Sequence, residues 1–305
     1  MSAEAARVRR LRGQWRQWLS VVTVSVWSMT ETYELNDGMT LPRIGFGTYP
    51  LRGQSGIDAM TSALENGYRM LDSAVNYRNE FEVGEALRRS GLPRDEVRIV
   101  SKVPGRDHGA SKAVRSIETS LESMGLDQLD LVLIHWPNPS QGKYLNTWEG
   151  LIQAREKGLV RSIGVSNFTE AHLREIIAAT GITPAVNQIE LHPRFPQAQM
   201  RAVHAELGIQ TESWSPLGKA DAAYDEPAVA DAAKAHDVTP AQVILRWQLQ
   251  IGSLPLPKSA TPSRQRENLD VFGFDLTDAE VEAITALGRE DGRLFGGDPD
   301  THEEM

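Results

Sequence analysis

Four residues stand where an apolar run gives way to a loop, and their side chains complement one another. Asp72 ends Arg69-Met-Leu71, Tyr77 follows in the next loop, Lys102 ends Val97-Arg-Ile-Val-Ser101, and His135 ends Leu129-Asp-Leu-Val-Leu-Ile134. Taken singly, each has a structural explanation as a cap, a loop anchor, a solvated end or a hydrogen-bonded core residue. Together they form a proton-delivery unit. A free tyrosine has a pKa of about 10, so at neutral pH it is a slow acid unless a nearby cation stabilises its anion. Lys102 supplies the cation, Asp72 holds that ammonium in place, and His135 hydrogen-bonds a carbonyl oxygen beside the phenol. Such a unit polarises a carbonyl and protonates the resulting alkoxide. No side chain provides the hydride that completes the reaction, so a nicotinamide is implied.

The usual dinucleotide fingerprint does not supply its site. Gly45-Phe-Gly47 runs on to Pro50 where a third glycine belongs, and its first glycine lies within the strand instead of in a turn after it, which argues against a Rossmann domain. Candidate contacts follow later strands: Ser166-Asn167, Gln188, Trp214-Ser215-Pro-Leu217-Gly218, and Lys258-Ser259 with Arg264 and Asn268 beyond. Asn167 and Gln188 can pair with a carboxamide, Trp214 offers a flat face for stacking, and Lys258 and Arg264 can grip phosphate oxygens. A set of turns around a core tryptophan explains the same residues equally well.

These positions need elements to hold them. The strands are read as Ile44–Thr48, Arg69–Asp72, Val97–Lys102, Leu129–His135, Ser162–Val165, Val186–Glu190, Gln210–Trp214 and Leu254–Pro257, most of them continuous apolar runs. That pattern marks parallel strands buried on both faces. Between them lie helices with recognisable starts: Ser111 before Ala113–Met124, Thr169 before Glu170–Ala179, Thr239-Pro240 before a face of Val243, Ile244, Trp247 and Ile251, and the capping box Thr277-Asp-Ala-Glu280. Strand-helix alternation repeated about eight times predicts a (β/α)8 TIM barrel, with reactive groups on the rim at the strands' C-terminal ends.

Composition narrows the classes further. The chain has 305 residues, with 32 basic against 41 acidic and a net charge of −9, which disfavours nucleic acid and anionic membranes as partners. Zero cysteines exclude disulfides, thiolate metal sites and cysteine nucleophiles. The histidines show no His-x-x-x-His pair, so no metal site is expected, and His192 before Pro193 reads as a turn. Residues 1–28 stand apart: Arg7, Arg9, Arg10, Arg12 and Arg16 precede Leu19–Trp27, an apolar run interrupted by Ser and Thr, too short for a membrane span and lacking a small-x-small cleavage site. They are read as a disordered or non-native extension before Met29, with residues 29–305 forming one domain. A cytoplasmic monomer is the expectation.

The segments Gly45-Phe-Gly-Thr48, Leu71-Asp-Ser-Ala74 with Tyr77-Arg-Asn-Glu80 and Val83-Gly84, Leu129–Pro137, Ile163-Gly-Val-Ser-Asn-Phe168, and Pro257-Lys-Ser259 through Arg264 to Glu267-Asn268 resemble, in order, the signatures of the aldo-keto reductase superfamily. Within it, the chain is most similar to bacterial members of the 2,5-diketo-gluconic acid reductase type. The resemblance spans about residues 32–295. It implies a single-domain barrel with a short N-terminal hairpin closing its bottom, and a catalytic tetrad of Asp72, Tyr77, Lys102 and His135. It further implies a nicotinamide across the barrel mouth, contacted by Gly47, Thr48, Ser166, Asn167, Gln188, Trp214, Ser215, Leu217, Gly218, Lys258, Ser259, Arg264 and Asn268. The lysine and arginine favour NADPH, with NADH a weaker alternative. Tyr49, Trp136 and Phe295 would form an aromatic collar for a small carbonyl substrate. Tyr49 replaces a tryptophan, and Asn79 an aromatic, of many animal relatives, so their substrates are not carried over. Two rival functions follow: a non-catalytic nucleotide-binding sensor on the same barrel, or a barrel glycosidase using Asp72 and Glu190.

Overall fold

Residues 32–304 are described by the structure, a computed structural model. Strands β1 (Thr32–Glu34) and β2 (Thr40–Pro42) pair antiparallel, with Thr32 opposite Pro42. Their turn closes through the Leu35 N–H, which donates to Met39 O at 2.8 Å. Leu35 and Leu41 then bury among Met70, Val100, Leu131, Leu133, Val186 and Leu254. Polar contacts fix the hairpin at the strands' N-terminal ends: Asn36 Nδ2 donates to Pro184 O at 2.9 Å and Ser162 Oγ donates to Asp37 at 2.6 Å. The hairpin therefore closes the barrel bottom, as expected.

Eight parallel strands follow: β3 (Phe46–Gly47), β4 (Met70–Asp72), β5 (Arg98–Val103), β6 (Leu129–Ile134), β7 (Val160–Ser166), β8 (Val186–Glu190), β9 (Gln210–Trp214) and β10 (Ser253–Pro255), each paired with its sequence neighbour. The sheet closes on itself where the Gly45 and Gly47 N–H groups donate to Pro255 O and Pro257 O, both at 3.1 Å. This closure explains the Gly-Phe-Gly run. A Cβ on Gly45 would lie 2.6 Å from Leu256 Cδ2, and one on Gly47 would lie 2.9 Å from Leu256 O. The glycines admit a close backbone approach at the seam and do not build a phosphate turn.

Helices α1 (Gly53–Glu65), α2 (Glu80–Ser90), α3 (Ala110–Met124), α4 (Tyr144–Glu156), α5 (Glu170–Thr180) and α6 (Ala198–Leu207) follow β3 to β8 in turn. Strand β9 is followed by α7 (Pro227–His236) and α8 (Pro240–Gln250), and β10 by α9 (Pro262–Leu269) and α10 (Asp278–Thr285). Thr169, Thr239 and Thr277 each close a capping box. Ser111 does not start its helix: α3 begins at Ala110 because its first N–H groups are satisfied from outside. Gly109 N–H donates to Thr147 Oγ1 at 2.9 Å and Ala110 N–H to Asn146 Oδ1 at 3.0 Å, a tertiary cap that no local spacing announces. The strand read at Ile44–Thr48 contracts to the two residues Phe46–Gly47, and Thr48 Oγ1 donates to Asp72 O at 2.9 Å. The expectation for residues 1–28 concerns positions outside the described residues. Among the described residues no helix is long and apolar enough to cross a membrane.

Candidate active site

Asp72 is the last residue of β4, Lys102 stands one residue before the end of β5, and His135 follows β6 directly. All three therefore reach the rim from adjacent strands. Lys102 is 1% exposed and spends its three N–H donors on Asp72 Oδ1 at 2.8 Å, Asp72 Oδ2 at 2.7 Å and Ser73 O at 2.8 Å. Burial works against its charge, but Asp72, together with Tyr77 and Glu212, outweighs this and raises the pKa, so the side chain stays an ammonium. Tyr77 closes a short 3-10 turn, Val75–Tyr77, which places its ring centroid 5.1 Å from Lys102 Nζ and 5.8 Å from the His135 ring. The three residues picked from strand ends and the loop tyrosine form one cluster.

Burial pushes the Tyr77 hydroxyl above its ordinary value, and Lys102 only partly counters this while Asp72 adds to it. The ammonium thus moderates a desolvated phenol.

Beneath the cluster lies a carboxyl that local sequence did not reveal. Gln188 Nε2 donates to Asp72 Oδ1 and to Glu212 Oε2, both at 2.9 Å. Glu212 is fully buried, and burial followed by repulsion from Asp72 pushes its pKa up to about 8. A charged residue amid the buried strand Gln210–Trp214 was the available signal. Because both carboxyl groups accept, the Gln188 NH2 must face them, which leaves its carbonyl oxygen to receive a donor from the cavity.

Asn167, in left-handed backbone at φ 61°, is a bracket. Its Nδ2 donates to His135 O at 3.0 Å and Ser166 Oγ at 3.1 Å, while its Oδ1 accepts from Trp214 Nε1 at 2.8 Å. The indole is therefore held through its N–H edge.

A cavity of about 930 Å³ opens over these groups. Gly47, Thr48, Asn167, Gln188, Trp214, Ser215, Leu217, Lys258, Ser259, Arg264 and Asn268 all line it, as do Tyr49, Trp136 and Phe295. Ser166 and Gly218 do not: Ser166 is buried behind the wall with its hydroxyl donated to Gln188 O at 2.8 Å, and Gly218 turns the chain in left-handed backbone at φ 77°. Asn79 is likewise no substrate contact, being fully buried with its amide donating to Thr48 and Leu51 O. Phe295 stacks on Trp214 with centroids 6.2 Å apart. Lys219, which sequence reading missed because nothing regular surrounds it, lines the cavity with Nζ 4.4 Å from the Phe295 ring centroid. Glu190 is absent from the lining; it binds His192 Nε2 at 3.0 Å and accepts from Leu294 N–H at 2.7 Å, which leaves the glycosidase reading without its second carboxylate.

The cavity's donor set suits a nicotinamide dinucleotide phosphate. Gln188 offers its carbonyl to a carboxamide, Trp214 offers an aromatic face, and Lys258 and Arg264 line the same cavity with no ion-pair partner among the described residues.

Residues 43–289 match the model of the aldo/keto reductase family. The chain is 60% identical over 274 residues to 2,5-diketo-D-gluconic acid reductase B of Corynebacterium sp. (strain SHS752001), covering 90% of this chain and 98% of that one. It is 47% identical over 271 residues to an aldo-keto reductase of Mycolicibacterium vanbaalenii, covering 89% and 96%. Among solved structures, a point mutant of Gox0644 in complex with NADPH superposes with a TM-score of 0.85 at 41% identity, over 90% of this chain and 99% of that one. An aldo/keto reductase from Brucella melitensis gives 0.82 at 41% identity, over 85% and 99%. With the barrel, the rim cluster and these likenesses in agreement, the chain belongs to the aldo/keto reductase family.

Proposed function

We propose that the protein reduces small aldehydes and ketones to alcohols with NADPH, Tyr77 giving the proton. The observation that carries this reading is the convergence of Tyr77, Asp72 and His135 on the wall of a cavity, with Lys102 buried against Asp72 behind them, and with two cations, Lys258 and Arg264, on the same cavity without carboxylate partners among the described residues. Bound there, a reduced nicotinamide supplies the hydride for the carbonyl carbon.

The chain's own residues do the remaining work. Gln188 presents its carbonyl to the carboxamide, and Asn167 steadies the Trp214 indole for stacking. Lys258 and Arg264 hold phosphate, which favours NADPH and leaves NADH the weaker choice. His135 hydrogen-bonds the carbonyl oxygen, fixing it near the phenol. As negative charge develops on that oxygen, Tyr77 releases its proton, and Lys102, kept charged by Asp72, stabilises the phenolate left behind. Tyr49, Trp136 and Phe295 exclude water around the reacting carbon, and Lys219 beside them suits a substrate bearing a carboxylate. The diketo acid in the name of the Corynebacterium relative is thus a sensible first substrate.

The test is Tyr77→Phe. Turnover of NADPH against an aldehyde and keto-acid panel should fall by at least about a hundredfold, while quenching of tryptophan fluorescence by NADPH persists. Retained turnover would remove Tyr77 from its role, and tight NADPH binding with no turnover in the wild type would favour the sensor reading.

A further inference from the structure

We propose that Glu304 is a positioning residue for His135: its carboxylate engages Nδ1 and so commits Nε2 to the substrate carbonyl. The inference rests on the carbonyl-reducing reading above.

Glu304 Oε1 lies 2.7 Å from His135 Nδ1, which is otherwise buried without an aligned hydrogen-bond partner. The contact is an ion-pair approach, short but loosely aligned, of the kind that tightens when substrate arrives. Glu304 does not line the cavity whereas His135 does, so the carboxylate stands behind the ring and does not compete with substrate.

The seat that holds it is specific. Asn76 Nδ2 donates to Oε1 at 2.6 Å and Gly105 N–H to Oε2 at 3.4 Å. The backbone is clamped on both sides by one fully buried side chain: Asn138 Nδ2 donates to Glu304 O at 2.5 Å, and Glu304 N–H donates to Asn138 Oδ1 at 3.3 Å. The preceding residues dock as well, with Glu303 accepting from Ser140 N–H at 2.7 Å and the His302 ring 4.2 Å from that of Trp136. The barrel loop leaves room for this segment: a Cβ on Gly105 would come within 2.1 Å of Glu304 O.

Burial alone would raise the Glu304 pKa, yet the contacts with His135, Asn76 and Gly105 hold it below the ordinary carboxylate range, so it is ionised at neutral pH. His108, the other histidine feeling this carboxylate, is pushed down to about 4 by burial and stays neutral there. A carboxylate on Nδ1 requires a proton on that nitrogen. The ring then turns Nε2 to the cavity, and as a donor to a carbonyl oxygen that nitrogen carries the ring's second proton while Glu304 faces the first. Without the anion the ring is free to change tautomer or rotate, and the donor is lost part of the time.

Two independent variants displace the carboxylate: Glu304→Ala removes it, and Gly105→Ala pushes the segment off its seat. Each should lower kcat for aldehyde reduction about tenfold or more, with the NADPH Kd from fluorescence quenching within about twofold of wild type. Glu304→Gln, which keeps the shape without the charge, should fall between, and Glu304→Asp should recover part of the loss. Nitrogen-15 shifts of the His135 ring should place a proton on Nδ1 in the wild type and show it redistributed in Glu304→Ala. Wild-type kcat in the alanine and glutamine variants, unchanged ring shifts, or a loss of kcat matched by a loss of NADPH binding would each overturn the proposal. A wild type that turns over no carbonyl compound would count against the catalytic reading alone, since the nitrogen shifts still decide whether Glu304 fixes the ring.

Discussion

Replacing Lys102 with methionine separates the two tasks of the buried ammonium. In the fold, Lys102 neutralises Asp72 through two contacts of 2.8 and 2.7 Å. Removing one partner of such a pair strands a buried charge and costs about 3–5 kcal/mol, which for a barrel of this size lowers Tm by roughly 10 °C. In the reaction, the cation sits 5.1 Å from the Tyr77 ring centroid. At an effective dielectric of about 20, a unit charge at that distance is worth about 3 kcal/mol to the developing phenolate. Lost from the transition state, that energy slows turnover by roughly 150- to 250-fold. Stopped-flow NADPH oxidation against a saturating aldehyde reads the second effect, and thermal melting reads the first. A double variant, Lys102→Met with Asp72→Asn, should recover most of the Tm because the stranded charge is gone, yet recover none of the rate. The reasoning fails if the single variant keeps kcat within about threefold of wild type, or if the double variant regains it.

Glu212, with a folded pKa of about 8 against about 4.3 for an unperturbed glutamate, binds its proton more tightly folded than unfolded. Its contribution to stability is therefore present in full below about pH 4.3 and is lost as pH rises toward 8, by up to about 1.4 kcal/mol per pH unit. Glu212→Gln should flatten that stretch of a urea-midpoint series, and an unchanged slope would refute it. Arg264→Ala should weaken NADPH roughly tenfold or more while leaving NADH nearly unaffected, as read by fluorescence titration; equal losses for both nucleotides would place Arg264 elsewhere than on the extra phosphate. The Tyr77→Phe and Glu304 series complete the set, the first testing the proton donor and the second its neighbour's orientation.

The chemistry of the rim was readable before any coordinates because it is local. A parallel barrel strand announces itself as a short buried run, and its last residue must emerge on the catalytic face, so Asp72, Lys102 and His135 were marked by position alone. The same holds for the threonine capping boxes, whose partners lie within one turn. What tertiary structure decided are the contacts whose partners are far apart in sequence and sit in segments without period. Gln188 links Asp72 to Glu212 across the barrel floor, Asn146 and Thr147 cap a helix one βα unit earlier, and Asn138 clamps Glu304 from 166 residues away. Residue order sets which groups can ionise or donate; only closure of the sheet fixes which of them share a dry space, and burial there, more than residue type, sets the charge state of Glu212.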